Sequence, residues 1–253
     1  NAADYTGYND GTDGFQRCTG SVRDYFYDNT SGAFAPQFDI VVVDLDYSMY
    51  DMNATANTYT IAEAAARAAD AKGVDFSKYD ADNDGMVDMF YIVYAGHASS
   101  YVGNDERLLH PHATSLDWRR ISIDGKRLGR YACSTELYGW DCTFQSGSQT
   151  IVRNDTQLNG IGTICHEFSH VLGYSDHYDT SSAGYEQPGN WDVMAGGSYN
   201  GPYGRTPAGY NAYERLTGGF LAPEEISGMT GEILTLNSLE EAQKAYRINS
   251  EQA

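Results

Sequence analysis

The stretch Thr163-Ile164-Cys165-His166-Glu167-Phe168-Ser169-His170-Val171-Leu172-Gly173-Tyr174-Ser175-Asp176 constrains this chain more than any other. His166 and His170 are four residues apart, so on a helix they stand one above the other on one face. Two imidazoles so placed converge on one ion, at the Zn–N distance of about 2.0–2.1 Å that zinc requires. Glu167 is one position round the helix, beside such an ion rather than on it, where it can take a proton from a water. Ile164, Phe168, Val171 and Leu172 give the same helix an apolar back, which anchors it in a core while the histidines face a cleft. Gly173 follows as the stop, because glycine takes positive φ without penalty. Asp176, three residues later, is a carboxylate able to return to the metal. The spacing predicts a helix over 161–172, a sharp reversal, and a zinc site held by His166, His170 and Asp176. Glu214, on a separate downstream helix, is the alternative third ligand. Asp176 is preferred because its spacing from Gly173 needs no separate packing event.

The rest of the chain is marked out by its caps. Ser21 with Asp24 starts a helix running to about Tyr27. Thr60 with Glu63 reads as a capping box for an Ala-rich helix to Lys72, stopped by Gly73. Thr206 to about Leu216 reads as a helix with Pro207 at its first position and Gly218 beyond its end. Residues 38–43 and 87–94 are strand candidates, rich in β-branched and aromatic residues, and 127–133 is a weaker one. Helices and strands alternate up to Gly173, and a Gly- and Tyr-rich remainder follows. The expected class is α/β (α+β), with an N-terminal lobe over 1–173 and a smaller irregular lobe over 174–253.

Asp80-Ala81-Asp82-Asn83-Asp84-Gly85-Met86-Val87-Asp88 places carboxylates at alternate positions before a glycine. Calcium takes six to eight hard oxygens, and Asp80, Asp82, Asp84, the Met86 carbonyl and Asp88 can supply five. The loop is no EF-hand, since its twelfth position is Tyr91 and a strand follows. Four aspartates within nine residues repel one another without a cation, which favours calcium over a solvated turn.

Sixteen basic against 35 acidic residues leave a net charge of −19. Such a surface repels nucleic acid and anionic membranes. No apolar run reaches the roughly 18 residues of a membrane helix. The polar start Asn1-Ala2-Ala3-Asp4 carries no basic-then-apolar leader, so any export signal is expected to have been removed or never included. Cys18, Cys133, Cys142 and Cys165 include no C-x-x-C pair, which argues against a thiolate zinc knuckle. Cys133 and Cys142 are near enough to close a small loop, whereas Cys165 reads equally as a buried thiol. The reading leans toward an oxidising, exported setting.

The run from His166 to Asp176 resembles the extended metzincin motif. Tyr178-Asp179-Thr180 and Gly189-Asn190-Trp191-Asp192-Val193-Met194-Ala195-Gly196-Gly197-Ser198 look like the immune inhibitor A-like peptidase family. There a "DLYDT" segment follows the zinc helix and a "GWDLMSSGSW"-like segment supplies the Met-turn. The resemblance extends to Gly20-Ser21-Val22-Arg23-Asp24-Tyr25-Phe26 and to the aspartate loop, in scattered blocks over most of the chain. It implies one metzincin-like catalytic domain over 1–253, with a twisted mixed sheet, a zinc-binding active-site helix and Met194 as the Met-turn. It also implies a secreted bacterial endopeptidase, often made as a zymogen and often calcium-stabilised, that acts on protein or peptide substrates. A monomer, secreted or held at the cell surface or in the periplasm, is the expected form.

Three departures stand out. His177 takes a place where an apolar residue is commoner. Tyr199 replaces the usual Trp after the Met-turn, and is the candidate to donate a hydrogen bond to an oxyanion. No strand is visible upstream of the Gly20–Phe26 block, which reads as a processed or trimmed catalytic domain. The competing reading is a calcium-stabilised adhesion module with a structural zinc. Such a zinc has four protein ligands and no open position, whereas three ligands beside Glu167 favour catalysis.

Overall fold

The computed structural model describes residues 20–51, 55–101, 106–139, 141–146, 148–154, 156–185, 187–231 and 233–249. Helix α1 (Val22–Asn29) begins where its cap predicts. Ser21 Oγ accepts the Asp24 N–H and Asp24 Oδ2 accepts the Ser21 N–H at 2.8 Å, so two otherwise orphaned donors are satisfied reciprocally.

Helix α2 (Thr55–Ala71) starts a turn and a half earlier than expected, so Thr60 lies inside it rather than at its N-cap. The reason is tertiary. Tyr59 packs on the core and makes an edge contact with Trp118, which extends the helix toward its N-terminus. Glu63 is freed from capping and instead pairs with Arg67 and Arg119. The Gly73 stop holds, at φ +91°.

The strands are β1 (Met86–Val87), β2 (Phe90–His97), β3 (His112–Ser115), β4 (Ser122–Ile123), β5 (Lys126–Leu128), β6 (Arg130–Tyr138), β7 (Asp141–Ser146), β8 (Gln149–Asn154), β9 (Gln157–Leu158), β10 (Glu224–Glu225) and β11 (Tyr246–Arg247). The central sheet runs β2-β6-β3, with β2 parallel to β6, β3 antiparallel to it, and β9 pairing antiparallel with the far end of β6. A small β1-β5-β4 sheet, a β7–β8 hairpin and a β10–β11 pair complete the strands among the described residues. Mixed pairing with helices packed against it makes this an α+β arrangement.

All three strand expectations need correction. The 87–94 candidate is interrupted at Asp88 and Met89, with Val87 in β1 and the rest in β2, which runs on to His97. The 127–133 candidate is split at Gly129 between β5 and β6. Gly129 is a close approach, since a Cβ there would meet Met86 Cε at 2.8 Å. Residues 38–43 form no strand. Ile40 and Val42 are 72% and 76% exposed, and with no neighbouring strand to pair with, β-propensity alone does not hold the segment extended in a sheet.

Two apolar clusters carry the fold. One packs Ile61, Ala62, Ala66 and Ala69 of α2 over the sheet residues Val87, Leu128, Tyr131 and Cys133. The other packs Val22 and Phe26 of α1 against Ile164, Cys165 and Phe168, with Val193, Met194 and Tyr210 closing it. Cys133 and Cys165 are buried free thiols, so the small loop considered between Cys133 and Cys142 is not closed. Cys18 lies outside the described residues.

Phe26 is fully buried, and its ring meets those of Phe34, Phe168 and Tyr210. Phe26→Ala is expected to cost about 3–5 kcal/mol in urea unfolding, whereas Ile40→Ser should stay within about 0.5 kcal/mol.

Candidate active site and metal centre

Helix α3 (Gly162–Val171) ends as predicted, at Gly173 with φ +103°. Its start is held by close backbone approach. A Cβ on Gly162 would collide with the Ser198 carbonyl, and one on Gly160 with the Gly204 backbone. These two glycines let the helix seat against the loop that follows Met194. Ile164 and Phe168 form its buried back, as expected, but Leu172 is 37% exposed because the helix has already ended there. Ser169 Oγ bonds back to the Cys165 carbonyl and meets Tyr210 Oη at 2.6 Å. Arg130 of β6 donates to the His170 and Val171 carbonyls, placing a cation on the negative end of the helix.

The two imidazoles are oriented by backbone. His166 Nδ1 lies 2.8 Å from the Val193 carbonyl and His170 Nδ1 2.8 Å from the Tyr174 carbonyl. A carbonyl can only accept, so each Nδ1 carries the proton and each Nε2 presents its lone pair outward. Both Nε2 atoms face one oxygen: Asp176 Oδ1 is 3.3 Å from that of His166 and 3.2 Å from that of His170. This oxygen is buried and has no hydrogen-bond partner among the described residues. Two lone pairs and a carboxylate oxygen that share one small space, none satisfied by another, fit a metal cation.

The charges respond to this crowding. Burial alone would lower both histidine pKa values, but Asp176, Glu167 and the backbone carbonyls on Nδ1 together outweigh it and raise them. Burial alone would raise Asp176, and its two histidine partners bring it well below the usual range. Burial pushes the Glu167 carboxyl up to about 7 against the pull of the two histidines. Glu167 is 6% exposed, and its carboxylate stands within 4.8 Å of ring nitrogens of both histidines.

A cleft of about 910 Å³ opens over His166, Glu167, His170, Asp176, Tyr178 and Tyr199. Tyr199 thus lines the same cleft as the histidines, with burial and then Glu167 raising its phenol pKa. Met194 is fully buried between Val193 and Ala195, and its carbonyl accepts the His177 N–H. Sequence reasoning missed Tyr178, whose ring stacks near His166 at 6.4 Å. It also missed His110 and His112, which line the cleft together with Ala113. Tyr178 stands only two residues beyond Asp176, a spacing that could have found it. The two histidines carry no local motif and reach the cleft through the pairing of β3 with β6.

Glu214, the alternative ligand, does not line this cleft. It is fully buried in α4 (Ala212–Thr217), a shorter helix than expected. Asn211 caps α4 through the Tyr213 and Glu214 N–H groups, so Pro207 lies upstream of it rather than at its first position. The Asn211–Glu214 capping box, which satisfies donors at both ends, sets the start.

In the aspartate loop, one oxygen each from Asp80, Asp82 and Asp88 lies within 4.8 Å of the others. Asp84 Oδ1 instead accepts the Met86 N–H. Asp80 Oδ2 is paired with Lys126 Nζ at 2.5 Å, while Asp80 Oδ1 is buried with no hydrogen-bond partner among the described residues.

Comparison with known proteins identifies the family. The family described as immune inhibitor A peptidase M6, catalytic domain, matches residues 7–217. Immune inhibitor A of Bacillus thuringiensis subsp. alesti is 26% identical over 147 residues, 54% of this chain. The chain spans about a fifth of that relative's length.

Proposed function

The chain belongs to the immune inhibitor A peptidase family, and from that premise we propose that it is a secreted, zinc-dependent endopeptidase with Glu167 as its general base. The observation that carries this reading is the convergence of His166 Nε2, His170 Nε2 and Asp176 Oδ1 on one space. Two imidazoles and a carboxylate are the donor set of a zinc with an open position. Bound there, zinc would supply Lewis-acid polarisation of the scissile carbonyl and lower the pKa of a water to about 7.

The chain's own groups do the rest. Glu167, buried beside the ligands but turned to the cleft, accepts the proton of the attacking water and passes it to the leaving amine. Tyr199 donates a hydrogen bond to the developing oxyanion. Peptide substrates are favoured by β3. It is an edge strand whose pairing among the described residues is to β6 alone, and its His112 and Ala113 line the cleft. Its free edge can pair with an extended peptide laid along the metal. A structural zinc would be closed by a fourth protein ligand, whereas this site opens into the cleft, which argues against the adhesion-module reading.

The proposal includes one metzincin-like catalytic domain that turns at Gly173 from its α/β lobe to the Met-turn lobe. The proposal also includes export from a bacterial cell, which membership of the family supports. No helix among the described residues is long and apolar enough to cross a membrane. We further propose calcium in the aspartate loop, supported by the orphaned Asp80 Oδ1 and the neighbouring Asp82 and Asp88 oxygens.

Glu167→Gln should keep its zinc and its fold while losing about 10²–10⁴-fold in cleavage of an unfolded protein. His166→Ala/His170→Ala should lose both activity and this zinc. Wild-type turnover by zinc-loaded Glu167→Gln would remove the assigned base. For the loop, millimolar calcium should raise the thermal midpoint of the zinc-loaded chain, and Asp82→Ala/Asp88→Ala should abolish the rise. An unchanged wild-type midpoint would return the loop to a solvated turn.

A further inference from the structure

Outside the cleft, the described residues bring together a second group of metal-ligating side chains: His177, Asp192 and Glu214. One ligand atom from each lies within 4.8 Å of the others. They come from three separate segments. His177 follows Asp176 directly, Asp192 opens the turn that carries Met194, and Glu214 belongs to α4. None of the three lines the cleft.

The hydrogen bonds of the carboxylate oxygens in this cluster are accounted for except at one atom. Asp192 Oδ1 accepts the Met194 N–H at 2.7 Å. Asp192 Oδ2 lies 2.8 Å from both His177 Nδ1 and Asn211 Nδ2. Glu214 Oε2 accepts the Asn211 N–H at 2.7 Å, which completes the capping box. Glu214 Oε1 is buried and has no hydrogen-bond partner among the described residues. Its residue has no exposed surface at all, and Asp192 is 1% exposed.

Two carboxylates buried side by side are costly unless a cation compensates them. Arg215, next in sequence, draws Glu214 toward its charged form from nearby, but its guanidinium donates to the Tyr210 carbonyl and to Asn29 Oδ1. Capping accounts for one oxygen of Glu214 and leaves the other without a role. The cluster shares two features with the first site: a ring nitrogen and a carboxylate oxygen within 4.8 Å of one another, and one buried carboxylate oxygen left unsatisfied.

We propose that His177, Asp192 and Glu214 form a second, structural site for a divalent transition metal, with zinc as its natural occupant. A cation there takes the place of the proton between His177 Nδ1 and Asp192 Oδ2, and the ring proton moves to Nε2. One imidazole with two carboxylates suits zinc or manganese, whereas calcium requires six to eight oxygens. The site lies away from the cleft, so no substrate reaches the ion and its role is structural; three side chains hold it, with water completing the coordination. The ion ties the segment that carries Asp176 to the turn that carries Met194 and to α4. His177, an imidazole where the family resemblance leads one to expect an apolar side chain, supplies the nitrogen ligand.

The test is metal counting on the full chain. It is stripped with chelator, held in millimolar calcium to saturate the aspartate loop, and titrated with zinc alone. Bound zinc is measured after gel filtration, and thermal midpoints are recorded with and without it. Wild type should hold about two zinc ions. His166→Ala/His170→Ala should hold about one and still be stabilised by zinc, and adding His177→Leu should remove both the ion and the stabilisation. Circular dichroism checks each fold. If the triple variant does not fold, Glu214→Gln, which keeps an oxygen for the Asn211 N–H, replaces His177→Leu. A folded His166→Ala/His170→Ala chain that binds no zinc overturns the second site. A wild type that holds only one zinc, kept by His166→Ala/His170→Ala and lost with His177→Leu, supports the second site while removing the zinc assignment of the first.

Discussion

Two hydrogen bonds from imidazole Nδ1 to backbone carbonyls set the character of this molecule. They fix the tautomer and the rotation of His166 and His170, so that both Nε2 lone pairs meet at Asp176 Oδ1. One carbonyl, of Val193, belongs to the turn beneath the site, and the other, of Tyr174, to the loop that leaves the helix. The ligand geometry is thus only as firm as the packing of those two segments on α3. Met194 and Val193 are fully buried, and the N-terminus of α3 sits against Ser198 where only glycine fits. The same helix serves the core with one face and the cleft with the other.

Helix α3 and its reversal were legible in the sequence because the information is local. A four-residue histidine spacing, an apolar back and a glycine stop are properties of one short segment. The α1 cap was legible for the same reason, since Ser21 and Asp24 answer only to each other. The Ala-rich helix was legible in type but not in start, because Tyr59 extends it through a contact with Trp118, distant in sequence. The downstream helix was misplaced because Pro207 and Asn211 are both plausible starts, and only the reciprocal Asn211–Glu214 bonds decide between them.

Other parts of the cleft could not be read in the same way. His110 and His112 reach it because β3 pairs with β6 in a register that no local pattern announces. Residues 38–43 illustrate the opposite failure, a strand-like composition that finds no partner strand. Glu214 is the subtler case. As a helix carboxylate it was weighed as a distant ligand of the first site, and its burial with His177 and Asp192 became visible only once three segments were folded together. His177, noted first as a departure from a family pattern, acquires a physical setting through Asp192.

The central claim is that His166, His170 and Asp176 hold one zinc ion above Glu167. Anomalous diffraction from the zinc-loaded chain, recorded on both sides of the zinc absorption edge, tests it most directly. The account predicts a peak about 2.0–2.2 Å from His166 Nε2, His170 Nε2 and Asp176 Oδ1, with the Glu167 carboxylate close by and not coordinating. A fully loaded chain with no peak at that point, or with Glu167 itself among the ligands, would contradict it.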